Sequence, residues 1–328
     1  MRTVVVDTDA GVDDALALML LAANENVELL AVLSVFGTAT AAQTADNARY
    51  TLDVCERQDV PVYRGCAQPL AQARESSWGI HGRDGFGNTG LRPQTPVAAE
   101  PRAVDILLEL VATHPHDIDY IALGPLTNLA AAIQRRPDIT QRLRSITILG
   151  SLGPAMLHDT EPWLDRRFRV SRDGNVTRDF DAAQLVARQH GSITWCGPYV
   201  TRQVVIPESL VRDIAATGAS RPAALIAQIS EVYADFYSRV YPQPGDIRVM
   251  GINDSIAVAS VLQPSLITAA VSRPLATFAD PVSGQRYLAG VHADGADPRP
   301  RHSIVSDMDF DGVIARIDAV LRKPLPWR

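Results

Sequence analysis

The chain has 328 residues, 46% hydrophobic and 21% charged. These are the proportions of a globular protein large enough to bury one sizeable α/β core or two smaller ones. Its formal net charge of −6 excludes a general nucleic-acid or anionic-membrane surface. Cys55, Cys66 and Cys196 are odd in number and far apart, which suits reduced cytoplasmic thiols rather than a disulfide framework.

The first predicted elements lie in the run VVVDTDAGVDDALALMLLA. Val4–Val6 is apolar and β-branched and reads as a buried strand. Gly11 permits a tight turn after it, and Ala15–Ala23 has the alanine and leucine content of a helix. That apolar run follows four acids and is short, so neither a signal peptide nor a membrane span is expected. Asp7 and Asp9 share a side of the strand, while Asp13 and Asp14 fall where the helix begins. A lone aspartate at either place reads as a turn former or a helix cap. Four converging carboxylates repel one another and call for a cation or shared protons. All-oxygen ligands with no nearby His or Cys point to a hard ion, Ca²⁺ or Mg²⁺.

Val27–Phe36 reads as a second buried strand, Ala41–Arg57 as a helix and Val60–Tyr63 as a short strand. Arg74–Pro96, with HGRDGFGNTG at its middle, reads as a long loop over the sheet edge, of a length that is functional or disordered. A helix over Ala103–Thr113, a strand over Asp119–Leu123 and a helix from GPLTNLAAAI follow, then a strand over Ser145–Gly150. Gly153–Arg172 is irregular and arginine-rich. Phe180–His190 reads as a helix, Ser192–Cys196 as a strand, Ala223–Tyr241 as one long amphipathic helix and Asn253–Leu262 as another. The alternation predicts a Rossmann-like α/β fold, a mostly parallel central sheet flanked by helices, in a single domain over residues 1–328.

Three later segments carry chemistry. Gly124–Asn128 (GPLTN) joins a strand to a helix, so Thr127 or Asn128 reads as a helix cap, or a backbone carbonyl here faces the carboxyl ends of the strands. Asp254, in Asn253–Ala259 (NDSIAVA), reads as a cap or as a further carboxylate for the acidic cluster. Asp173–Asn175 (DGN) reads as a turn, or as the small polar groups that sugar hydroxyls require. Arg166, Arg167, Arg169 and Arg172 precede it, as a solvated face or a phosphate clamp.

With these segments placed, the chain resembles the nucleoside hydrolase family, the inosine–uridine-preferring N-ribohydrolases. DTDAGVDDALAL is similar to that family's DTDPGxDDAxAL, with Ala10 in place of proline. HGRDGFG resembles HGxxGLG, GPLTNLA matches outright, DGNVTRDFDAA resembles EFNxxxDPEAA and NDSIAVA resembles HDPxAVA, all in order. The resemblance implies that Asp9, Asp14, Asp254 and the carbonyl of Thr127 hold one Ca²⁺, with Asp7 supporting that shell. It implies Asp9 as the general base for a water held by the ion, and Asp13 and Asn175 as holders of the ribose hydroxyls. Asp173 takes the place of a glutamate that contacts the sugar's 5′ end, and His81 lies in a flap over the site. The family precedent also implies a homodimer or homotetramer acting on a small nucleoside-like substrate.

Three departures accompany the match. Asn253 replaces the family's active-site histidine, and an amide cannot act as a general acid. Thr38 replaces an asparagine close to the attacking water. Asp173 is one methylene shorter than glutamate, which with the nearby arginines leaves room for a modified or 5′-phosphorylated sugar. The expected activity is Ca²⁺-dependent hydrolysis of an N-glycosidic bond, releasing base and ribose. Two rivals stand beside it. One is a calcium- and ribose-binding protein that has lost catalysis. The other is a haloacid-dehalogenase-like phosphatase, disfavoured because the only lysine, Lys323, lies in the tail.

Overall fold

The β-branched run after Met1 forms the central strand β1 (Arg2–Thr8). In the computed structural model, which describes residues 1–74, 79–153, 173–279, 286–293 and 297–327, β1 has parallel neighbours on both sides. These are β2 (Val27–Ser34) and β4 (Ile118–Ala122). β3 (Val62–Tyr63) extends the sheet beyond β2, and β5 (Ser145–Ile148) and β6 (Ile193–Trp195) extend it beyond β4, all in parallel. β12 (His302–Met308) adds in parallel to β6, and β9 (Ile267–Arg273) pairs antiparallel with β12 at the end. The order is β3-β2-β1-β4-β5-β6-β12-β9. β7 (Ile206–Pro207) with β8 (Val249–Met250), and β10 (Leu275–Ala279) with β11 (Arg286–Gly290), form separate antiparallel pairs.

Helices cover both faces: α1 (Val12–Ala22), α2 (Ala41–Val54), α3 (Ala103–Thr113), α4 (Thr127–Arg135), α5 (Ile139–Arg142), α6 (Gly174–Arg178), α7 (Phe180–Ala187), α8 (Pro198–Thr201), α9 (Glu208–Ala216), α10 (Arg221–Ile229), α11 (Glu231–Val240), α12 (Asn253–Leu262) and α13 (Phe310–Arg322). The pleat of β1 sends Val4 and Val6 into one apolar cluster and Val5 into the other. Every residue of α1 is buried, and α12 is buried from Asp254 to Val261. Such all-round burial marks α1 as a core helix rather than a surface one, and it packs directly against α12.

The chain leaves β1 to build β2 and β3 on one side, then crosses to build β4 on the other. The strand order therefore reverses at β1, and the carboxyl ends of β1 and β4 frame the crevice in which open α/β sheets bind ligands. The predicted α/β class and parallel sheet stand. The helix after β1 starts at Val12, earlier than its apolar run, because Asp14 Oδ2 accepts from Gly11 N at 2.9 Å.

Two expectations change. Ala223–Tyr241 is two helices, α10 and α11, meeting at Ser230. The Ser230 hydroxyl donates back to the Ala227 carbonyl at 3.4 Å, a side-chain bond that competes with the helical ladder. The loop around His81 lies over the carboxyl ends of the interior strands, not over an edge. Asn47 Nδ2 ties it there by donating to both Ala10 O (3.2 Å) and Asp84 O (2.9 Å). Residues 154–172, with Arg166, Arg167, Arg169 and Arg172, lie outside the described residues. Among the described residues no helix is long and apolar enough to cross a membrane.

Leu16 is fully buried in α1. Leu16→Ala is expected to lower unfolding free energy by about 2–5 kcal/mol, measured by urea denaturation, since the enclosing helices cannot collapse onto the void.

Candidate active site

Two helix N-termini meet at the crevice. Asp13 and Asp14 open α1, and Asp254 opens α12, where helix dipoles favour negative charge. Carboxylate oxygens of Asp13, Asp14 and Asp254 lie within 4.8 Å of one another. Asp9, just past β1, lines the same cavity of about 130 Å³. All four carboxylates are 2–3% exposed.

Each carboxylate is held differently. Asp9 Oδ2 accepts from Thr38 N at 2.7 Å, and the Thr38 hydroxyl donates to the Asp9 carbonyl, so Thr38 clamps the residue at both ends. Asp14 Oδ1 accepts from the Thr8 hydroxyl at 2.5 Å. Asp13 Oδ2 accepts from Asn253 Nδ2 at 2.9 Å. Asp254 Oδ1 is buried with no hydrogen-bond partner. Burial, and then the neighbouring carboxylates, push Asp14 and Asp254 far above the ordinary carboxylate range. Burial raises Asp9 to about 6 against the lowering effect of Arg178.

Asp7 and Thr127 stand behind this group and do not line the cavity. Asp7 accepts from the Tyr120 hydroxyl and from Asn128 Nδ2 (3.1 Å), and burial raises it to about 7. Thr127 opens α4, and its hydroxyl donates to Asp179 Oδ2 at 2.6 Å. Ala10 has φ +38°, a left-handed conformation closed to proline. The backbone here thus accommodates the alanine that stands in place of the family's proline.

The remaining expected residues reach the cavity. His81 Nδ1 accepts from Val12 N at 3.2 Å and its ring lies 4.9 Å from that of Tyr233. Burial lowers His81 to about 4, so the imidazole is neutral near neutral pH. Asn175 spends its amide hydrogens on the carbonyls of Leu123 (2.6 Å) and Leu149 (3.1 Å), which leaves Oδ1 as an acceptor. Asp173 caps α6 through Val176 N (3.2 Å), while its Oδ2 is buried without a partner, and burial raises it to about 6. Asn253 Nδ2 also donates to Tyr237 Oη at 2.6 Å.

Residues 4–315 match the inosine-uridine preferring nucleoside hydrolases. The chain belongs to that family. It is a hydrolase acting on N-glycosidic bonds. The hydrolase is 31% identical over 269 residues to the inosine-uridine preferring nucleoside hydrolase of Leishmania major, covering 81% of each chain. It is 27% identical over 319 residues to that of Crithidia fasciculata, covering 94% of each. Among solved structures, a plant nucleoside hydrolase superposes with TM-score 0.82 at 24% identity, covering 98% of this chain and 99% of that one. A purine-preferring ribonucleoside hydrolase from Gardnerella vaginalis superposes with TM-score 0.80 at 23% identity over the same shares. These likenesses agree on the fold.

The hydrolase site also contains residues that sequence reasoning missed. Tyr233 and Tyr237 project from α11 into the cavity, as do Arg178 from α6 and Arg202 just after α8. Tyr233 and Tyr237 are four apart and Arg178 is three past Asn175, spacings that place each pair on one helix face. That was the available signal.

Raised carboxyl groups make a stability prediction. In Asp7, Asp9 and Asp173 the folded state holds protons that the unfolded chain releases near pH 4. Their stabilising contribution is complete below that pH and is lost as pH rises through about 6 to 7, since the native state binds more protons there. In chelator, the Tm measured by calorimetry should fall between about pH 4.5 and pH 7.5. A Tm that rises across that range would contradict the assignment.

Proposed function

We propose that this hydrolase is Ca²⁺-dependent and splits the N-glycosidic bond of a ribonucleoside or related ribosyl compound into base and ribose. The observation that carries the reading is the trio of buried carboxylates Asp13, Asp14 and Asp254 at the N-termini of α1 and α12, with Asp9 lining the same cavity and one Asp254 oxygen lacking a partner. An unpaired buried acceptor beside other carboxylates is costly until a cation meets it. The donor set is all oxygen, which fits a hard divalent ion. Asp9, Asp14, Asp254 and the Thr127 carbonyl would hold it, with Asp7 supporting them from behind. When bound, the ion supplies positive charge that grips ribose hydroxyls and acidifies a water.

The chain's own residues supply the rest. Asp9, fixed by Thr38, takes a proton from the attacking water as the water oxygen bonds to C1′. The C1′–N bond breaks with its electron pair leaving on the base. Positive charge grows on the sugar and is met by carboxylates already in place, so no solvent reorganises at that moment. Asp13 and the free Asn175 Oδ1 accept from ribose hydroxyls. His81 and the adjoining rings of Tyr233 and Tyr237 exclude water above the sugar.

The leaving base needs a proton or a hydrogen bond, and Asn253 cannot supply a proton. Asn253 Nδ2 donates to Tyr237 Oη, which leaves the phenol's own hydrogen to be donated. Burial, then the Asp13 charge, hold the phenol well above its ordinary range and hence protonated. Gly251 makes this possible, because a Cβ there would stand 2.4 Å from Tyr237 Cζ. Asn253 is thus a positioning residue and Tyr237 the donor to the base.

Release of free base from a panel of ribonucleosides, followed by chromatography, should be abolished by a strong calcium chelator and restored by Ca²⁺. Release that persists in chelator would sink the metal assignment. Asp9→Asn should lower kcat by roughly a thousandfold while Ca²⁺ still raises the Tm. Tyr237→Phe should lower kcat by about a hundredfold on nucleosides and far less on an aryl riboside whose leaving group needs no proton. An equal loss on both substrates would assign Tyr237 to packing alone. The family precedent further supports a homodimer or homotetramer of the single 1–328 domain, which light scattering reads directly.

A further inference from the structure

The cavity carries charge of both signs. Four carboxylates, Asp9, Asp13, Asp14 and Asp254, line it together with two guanidinium groups, that of Arg178, which lies 3.9 Å from Asp9, and that of Arg202. Arg178 folds back over Gly174: a Cβ at Gly174 would stand 2.9 Å from Arg178 Nη1. The family segment EFNxxxDPEAA has phenylalanine where Gly174 stands, a side chain this arginine could not share the space with. Arg178 is only 13% exposed, and its one ion-pair partner among the described residues is Asp9, at 3.9 Å. Arg202 lines the wall near Asp173, whose carboxyl its charge acts to lower.

A cation in this place works against an N-glycosidic cleavage of a neutral substrate. Positive charge develops on the sugar beside Asp9, and a guanidinium within a few ångströms opposes it. Burying an arginine is also costly without a counter-charge, and a cation held by Asp9 would claim the charge that now balances Arg178. Both difficulties disappear if the substrate carries an anion of its own here. Two arginines bracketing Asp173–Gly174 offer forked donors that match phosphate or carboxylate. The resemblance to the family segment implies that Asp173 meets the sugar's 5′ end.

We propose that the preferred substrate is a ribosyl compound bearing an anionic group at its 5′ end, a 5′-monophosphate or 5′-carboxylate, held by Arg178 and Arg202. This rests on the N-glycosidic reading above and adds the substrate class.

The test uses the intact protein with Ca²⁺ and two readouts. Calorimetric titration with ribose 5-phosphate and with ribose measures binding without catalysis, and base release compares nucleosides, their 5′-monophosphates and a nucleoside with a carboxylated base. Ribose 5-phosphate should bind about 10- to 100-fold more tightly than ribose, and kcat/KM should favour the 5′-monophosphate by a similar factor. Arg202→Met, and Gly174→Phe, which displaces Arg178, should each reduce the preference about tenfold. Retained circular dichroism and Tm establish that these variants fold, and the wild-type preference decides the matter if they do not. Equal binding of the two sugars, or nucleosides cleaved as well as their 5′-monophosphates, overturns the proposal and leaves the hydrolase reading intact. Preference for the carboxylated base over the 5′-monophosphate overturns it too. Tight binding of ribose 5-phosphate, lost in the variants, with no base released from any compound, upholds the anion site while the hydrolytic reading fails.

Discussion

Uncompensated negative charge on buried carboxylates is the constraint around which the molecule is organised. Asp9, Asp13, Asp14 and Asp254 lie where water cannot solvate them, and several are pushed toward the protonated form. Two devices tolerate this arrangement. The N-termini of α1 and α12 aim their dipoles at it, and neutral donors from Thr8, Thr38, Gly11 and Asn253 take up individual oxygens. Those devices in turn demand that α1 and α12 be driven side by side into the core, which is why α1 is apolar on every side rather than along one stripe.

The departures from the family pattern form physically linked sets. Asn253 cannot protonate a leaving base, yet it donates to Tyr237, and Gly251 vacates the space that the tyrosine ring occupies. Thr38 lacks an amide but holds Asp9 through its backbone N–H and its hydroxyl. Gly174 opens the space into which Arg178 folds. In each case a change that looks like loss in one dimension is met by another residue of the site, so the site is reorganised rather than decayed.

Arg178 and Arg202 give the proposed specificity its physical basis. A cation close to a developing oxocarbenium centre is unfavourable unless the substrate neutralises it. Charge on the substrate then changes the barrier as well as the affinity, because the neutralised guanidinium no longer opposes the transition state. The aromatic side of the cavity, built from His81, Tyr233 and Tyr237, is uncharged near neutral pH and suits a flat leaving group.

Much of this was legible in the sequence because it is local. The alternation of apolar runs gave the α/β class, and the spacing of Asp7, Asp9, Asp13 and Asp14 placed carboxylates on a strand end and the helix start that follows it. What the sequence could not determine depends on residues far apart in the chain. Ser230 divides an amphipathic pattern that reads as one helix, because its hydroxyl bonds back to a carbonyl. β9 to β12 carry weak patterns: β9 is largely exposed, and its place is set by pairing with β12 rather than by its own composition. Tyr237 reads as part of an amphipathic helix and Arg178 falls in no predicted element, until folding brings Arg178 within 3.9 Å of Asp9 and Tyr237 within 2.6 Å of Asn253. Sequence fixes which groups are available, through periodicity and backbone propensity. Only tertiary packing decides which charges must share one low-dielectric cavity, because that depends on the juxtaposition of α1, α6, α11 and α12, and no local pattern encodes it.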